Sequence, residues 1–149
     1  WSKHPMGSVP DGYYTVPLDK AVVFRPGNAL TVLAYGTMVY VCEAAAQASG
    51  IDAEIIDLRS IWPLDLETIV ASVKKTGRLV IVEEGWRFCG LGAQIADSIY
   101  TAAFDYLDGP IVRVTGEEVP MPYSRPLEDA AIPDVPRVVA AVKSVCGAA

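Results

Sequence analysis

The sequence predicts a three-layer α/β/α domain on a five-stranded, mostly parallel sheet with an antiparallel first edge strand. Three observations carry this expectation. Short apolar runs alternate with amphipathic stretches of helical period, the pattern of strands joined by crossover helices. The run Leu79-Val80-Ile81-Val82 has no polar alternation, as suits a strand covered on both faces. Thr37 and Asp65 stand where helices should start, and Gly50 and Gly77 where they should stop.

Residues 1–19 hold Pro5, Pro10, Pro17, Gly7 and Gly12 and read as a linker from an upstream domain, leaving 20–149 as the folded unit. Val22-Val23-Phe24 forms a first strand, stopped by the turn Arg25-Pro26-Gly27-Asn28. So tight a turn predicts antiparallel pairing with the second strand, 30–34. A helix follows from Thr37 to about Ser49, with Met38, Cys42, Ala45, Ala46 and Ser49 on one stripe, so Cys42 reads as a packed core thiol. The third strand covers 53–58. Residues 59–63 are irregular and should expose Ile61 and Trp62. Asp65 caps a helix whose Leu66, Ile69, Val70 and Val73 face the sheet.

The fourth strand, 79–82, runs into Glu83, Glu84 and a glycine-rich turn, and a helix then carries Leu91, Ile95 and Ile99 on one face. Asp105, Asp108 and Gly109-Pro110 make the next turn, and 111–115 is a fifth strand that contains the unexpected Arg113. Residues 116–136 hold Pro120, Pro122, Pro126, Pro133 and Pro136, too many for one continuous helix. A last helix starts near Asp134, with Val138, Val139, Val142 and Val145 as its apolar face.

Composition narrows the function. At 149 residues the chain reads as one domain. Its net charge of −6 argues against a nucleic-acid surface. Mean hydropathy is high at +0.30, yet no apolar run approaches the ~20 residues of a membrane span. Part of that excess should cover a subunit interface. Cys42, Cys89 and Cys146 form no CxxC pair and no zinc spacing, which suggests a reducing compartment. The one histidine, His4, lies in the proline-rich leader, so histidine-based triads and metal sites are close to excluded.

The turn over 85–92 lies where an open α/β sheet usually places its site. It lacks the Lys-Ser/Thr of a phosphate loop, and Ile95 stands where a dinucleotide fingerprint needs its third glycine. Its glycines permit a sharp turn and close helix packing. Trp86, Arg87 and Phe88 crowd its tip, and such residues anchor protein interfaces, so a partner surface is preferred here. A small-molecule site in a stand-alone domain is the competing reading.

Several stretches together carry a family resemblance. They include Tyr35-Gly36-Thr37-Met38, Ile56-Asp57-Leu58-Arg59-Ser60-Ile61-Trp62-Pro63-Leu64-Asp65, Glu83-Glu84-Gly85-Trp86 with Gly90-Leu91-Gly92-Ala93, Arg113-Val114-Thr115-Gly116, and Val119-Pro120-Met121-Pro122-Tyr123. Over nearly its whole length the chain resembles the carboxyl-terminal, transketolase-type domain of the beta subunit of a thiamine-dependent 2-oxo acid dehydrogenase. It looks most like pyruvate dehydrogenase. The equivalent domain of an acetoin or branched-chain dehydrogenase, a transketolase or a deoxyxylulose-phosphate synthase is the alternative within the group.

The resemblance implies a domain that assembles and docks its enzyme. Thiamine diphosphate and magnesium belong to the parent enzyme and none is implied in this chain, which carries no catalytic, cofactor or metal residue of the family. Implied partners are an alpha subunit and a second beta subunit in an α2β2 tetramer, with Trp62, Trp86, Arg87, Phe88 and Tyr123 as interface candidates. A basic binding domain of the dihydrolipoyl acyltransferase is the other implied partner, with Asp105, Asp108 and the terminal carboxylate at Ala149 as docking candidates. The implied location is the cytoplasm, or the mitochondrial matrix in a eukaryote.

Overall fold

A computed structural model of the chain describes residues 7–147. His4 and Ala149 lie outside the described residues. Residues 7–20 contain no helix or strand. The elements run β1 (Val22–Arg25), β2 (Leu30–Ala34), α1 (Met38–Ser49), β3 (Ala53–Asp57), α2 (Leu66–Thr76), β4 (Leu79–Trp86), α3 (Leu91–Ala103), β5 (Val112–Gly116), α4 (Arg125–Ala131) and α5 (Val135–Cys146). They build one five-stranded sheet in the order β1-β3-β2-β4-β5, parallel except for β1.

Strand alternation divides the core into two. Leu30, Val32, Ala34, Val80, Val82 and Val114 pack on one face with Met38, Cys42, Ala45 and Ala46 of α1 and Val138 and Val142 of α5. Leu33, Ile56, Leu79 and Ile81 pack on the other with Ile69 and Val73 of α2 and Ile95 and Ile99 of α3. The three layers are those the sequence predicts. The helix ends agree as well: Gly50 and Gly77 close α1 and α2 at φ 70° and 69°, the left-handed backbone that favours glycine.

Three features differ from, or add to, what the sequence predicts. The first concerns β1, which pairs with β3 and not with β2, although it is antiparallel as expected. The link between β1 and β2 passes over the start of β3: the Asn28 and Ala29 amides donate to the Asp52 carbonyl, and Gly27 lies so close to the Ala53–Glu54 backbone that no side chain fits. The tight connection therefore steps across a strand instead of closing a hairpin. Secondly, the proline-rich tail contains a short helix, α4, because Pro126 falls in its first turn, where its missing amide costs nothing. Thirdly, β4 continues to Trp86, four residues past the apolar run that announced it, because Trp86 still pairs with Gly116 of β5.

Candidate functional site

The parallel strands β2, β3, β4 and β5 all end on one edge, and the residues that follow them collect there. Register explains why Glu83 points inward from that edge. Glu83 has the parity of Ile81, whose side chain faces α3, and Arg113 sits opposite Ile81 on β5 and faces the same way. The two meet: Arg113 Nη2 donates to Glu83 Oε1 at 2.7 Å, with Glu83 only 1% exposed. The other Glu83 oxygen accepts the Gly92 amide at 2.9 Å and the Tyr35 hydroxyl at 3.5 Å. Burial, and then the negative charge of Glu83, push the Tyr35 phenol up to about 12.

Glu83 therefore caps α3 from the preceding strand. Gly90, at the cap position, offers no side chain of its own, and the carboxylate takes an amide that the first turn would otherwise leave unpaired. The glycine spacing follows from this. A Cβ on Gly92 would collide with Glu83 Oε1, and a Cβ on Gly90 would strike the Trp86 carbonyl and lie 2.8 Å from Arg113 Nη2. The turn suits a buried carboxylate of the chain itself, and its amide is not free to cradle a diphosphate. Nor is there, among the described residues, any group of three His, Cys, Asp or Glu placed to hold a metal.

Above this pair the turn is fastened to β5 and the segment after it. Arg113 Nη1 donates to the Arg87 carbonyl at 3.1 Å, and Arg87 Nη1 returns a bond to the Arg113 carbonyl at 3.2 Å. The Phe88 amide donates to Glu118 Oε1 and the Trp86 indole to the Val119 carbonyl. Cys89 adopts φ 54° at the tip and is exposed. Thr37 stands at the α1 cap position but makes no capping bond, because its hydroxyl donates to Glu84.

The sequence-predicted interface residues face solvent. Trp86 is 50% exposed and Phe88 75%, and Arg87 is exposed beside them. Trp62, in the loop after β3, is 88% exposed, and Tyr123, beyond β5, is fully exposed. Met121 and Leu127, in the segment after β5, are exposed as well. Large apolar side chains left in water at a sheet edge are a mark of interaction sites.

Asp105 and Asp108 lie at the opposite edge, before β5, and both are exposed. Asp108 Oδ2 sits 3.7 Å from Arg78 Nη2, and its amide donates to the Gly77 carbonyl. Beside Asp108 a recess of about 460 Å³ is lined by Arg78, Pro110, Val112, Val145 and Cys146. Lys74 stands 4.7 Å from the centre of the Tyr106 ring. The length of the sheet separates Asp105 and Asp108 from the aromatic turn.

The sequence reading missed the Glu83–Arg113 pair, although a signal existed: opposite charges of the same facing parity in two apolar strands. It also missed Glu118 and Val119 as anchors of the turn, for which no local signal exists.

Together these features define a doubly wound α/β domain whose carboxyl edge is closed by a buried ion pair and rimmed by exposed aromatics. The chain belongs to the family described as the transketolase C-terminal domain, which matches residues 19–138. It is 61% identical over 145 residues to a 2-oxoisovalerate dehydrogenase subunit beta of Pseudomonas aeruginosa, covering 97% of this chain and 41% of that protein. It is 51% identical over 136 residues to a pyruvate dehydrogenase E1 component subunit beta of Rhizobium meliloti, covering 89% of this chain and 30% of that protein. Among solved structures, a split-gene transketolase described as an inactive beta4 tetramer superposes with a TM-score of 0.77 at 29% identity, over 96% of this chain and 46% of that one. The chain thus spans less than half the length of these relatives.

Proposed function

We propose that this chain is the carboxyl-terminal domain of the beta subunit of a thiamine-dependent 2-oxo acid dehydrogenase, serving assembly and docking while the chemistry lies elsewhere in the enzyme. The observation that carries this reading is the form of the carboxyl edge. Where many doubly wound domains open a ligand crevice, this one is plugged by Glu83, Arg113 and Tyr35, and its exposed rim is aromatic. A self-contained small-molecule site over 85–92 fits poorly, since the Gly92 amide is already bonded.

In this reading Trp62, Trp86, Arg87, Phe88 and Tyr123 face the alpha subunit or a second beta subunit of an α2β2 tetramer. Asp105 and Asp108 face the basic binding domain of the acyltransferase. In this reading thiamine diphosphate and magnesium are held by the rest of the enzyme, and the Gly92 amide at the glycine-rich turn is taken up by Glu83. The parent enzyme would decarboxylate a 2-oxo acid oxidatively and pass the acyl group to lipoyl groups. Pyruvate and 2-oxoisovalerate are the substrates in the names of the relatives, and the proposal keeps to their class. No helix among the described residues is long and apolar enough to cross a membrane. Cytoplasm, or mitochondrial matrix in a eukaryote, is the proposed location.

The test is an assay of 2-oxo acid decarboxylation with thiamine diphosphate and magnesium. This chain alone should give background, and the complete beta subunit combined with its alpha subunit should turn over. Turnover by the chain alone would refute the reading.

A further inference from the structure

We propose that Glu83 and Arg113 are positioning residues for the aromatic turn, fixing the shape in which Trp86 and Phe88 are offered to the partner subunit. The inference rests on the reading of the carboxyl edge as a subunit surface, and it goes beyond that reading by assigning its control to a pair buried beneath that surface.

The geometry supports it at three levels. The turn projects from the end of β4, and an exposed loop carrying two aromatics would ordinarily sample many conformations. Here two side chains, Arg113 and Glu83, fix it at both ends. Arg113 uses Nη2 on Glu83 and Nη1 on the Arg87 carbonyl, so its planar fork joins the buried carboxylate to the loop backbone. Arg87 closes the ring by donating to the Arg113 carbonyl. Glu83 in turn holds the Gly92 amide, which sets where α3 begins and therefore where the loop ends. One carboxylate and one guanidinium thus define both ends of the segment that carries Trp86 and Phe88.

The pair also explains residues that packing alone would not select. A buried ion pair stabilises little compared with apolar residues of similar volume, so its presence points to specificity of shape. Gly90 and Gly92 leave room for the pair and for nothing larger. Pre-ordering a loop in its bound shape raises affinity by removing the ordering cost from the binding step.

The experiment uses the complete beta subunit with its alpha subunit, and compares Glu83→Gln, Arg113→Lys and Trp86→Ala with the unaltered protein. Two quantities are read: amide hydrogen exchange of the beta subunit, and the affinity of the alpha–beta association. Lysine can reach Glu83 or the Arg87 carbonyl but cannot bridge them, so Arg113→Lys tests the link even if Glu83→Gln fails to fold. The expected result is at least tenfold faster exchange across 86–92, unchanged exchange in β2 and β3, and at least tenfold weaker association. If Trp86→Ala weakens association while Arg113→Lys leaves it within twofold, the positioning role is overturned and the surface reading stands. If neither variant weakens association, the surface reading falls and the positioning role with it. Faster exchange throughout β2 and β3 in Arg113→Lys would also overturn the proposal, because it assigns the pair a general stabilising role.

Discussion

Glu83 and Arg113, thirty residues apart in the chain, meet at 2.7 Å beneath the first turn of α3. Neither strand would carry a charge at that depth for packing alone, since desolvating an ion costs several kcal/mol unless it is paired and hydrogen-bonded. The pairing makes sense of the glycine-rich turn, whose glycines follow the outline of a carboxylate already in place.

The first prediction concerns that outline. Gly92→Ala places a methyl group against Glu83 Oε1 and must displace the carboxylate or the helix. The cost should be about 3 kcal/mol, from overpacking and a disturbed buried pair. In thermal unfolding this corresponds to a Tm lower by about 6–12 °C. Gly109→Ala, which meets no atom within 4 Å, is the control and should change stability by less than about 0.5 kcal/mol. Equal effects of the two substitutions would show that Glu83 does not fill the space.

Asp65 provides a pH signature. It caps α2 through Thr68 and also accepts the Ala21 amide at 3.0 Å, tying the start of β1 to the helix. Burial pushes its carboxyl up, but the bonds from Thr68 and Ala21 and the charge of Lys20 outweigh this and hold it below its usual value. A depressed folded pKa contributes stability that is present above the unfolded pKa of about 3.9 and lost as pH falls through the folded value. Asp65→Ala should therefore cost about 1–2 kcal/mol at pH 7, and the gap from the unaltered chain should shrink below about pH 4. Denaturant unfolding at pH 3, 5 and 7 measures it. A gap that widens in acid would contradict the sign.

The cysteines should separate by reactivity. Burial pushes the Cys42 thiol up to about 12, which at pH 8 leaves roughly one thiolate in 10,000. Cys89 is exposed at the tip of the turn. Iodoacetamide at pH 8 should label Cys89 first and Cys42 only as the domain unfolds, as peptide mass mapping would show. Labelling of Cys42 at the rate of Cys89 would mean that α1 does not pack as described.

The opposite edge supports a salt-dependent prediction. Asp108→Lys removes an exposed charge that faces Arg78 at 3.7 Å. Association with a basic acyltransferase binding-domain peptide should slow, and its dependence on salt should flatten, while the Tm changes by only a few degrees. Surface plasmon resonance across ionic strengths reads both. Unchanged rates in both Asp105→Lys and Asp108→Lys would remove this surface as the docking site.

Much of the fold was legible because it rests on local rules. The caps at Asp65, Gly50 and Gly77 and the unalternating run of β4 each announce themselves within a few residues. The partner of β1 was not legible, because pairing with β3 depends on where Gly27 meets residue 53, a contact between distant segments. The aromatic rim could be read from residue types, whereas the pair beneath it could not be read from either strand alone. Glu83 resembles a strand-ending polar residue until β5 is placed beside β4 and Arg113 comes opposite Ile81. Side-chain parity across neighbouring strands is the step that local reading omits.

The most direct test of the aromatic edge as a subunit surface is to compare assembly with stability in Trp86→Ala. Trp86 is half exposed, and its indole makes one bond, to the Val119 carbonyl. The complete beta subunit carrying Trp86→Ala should associate with its alpha subunit at least tenfold more weakly by sedimentation, a loss of at least about 1.4 kcal/mol. Its Tm as an isolated subunit should fall by no more than about 3 °C. Unchanged association with a large fall in Tm would instead show that Trp86 serves its own fold, and would contradict the assignment of this edge to a partner.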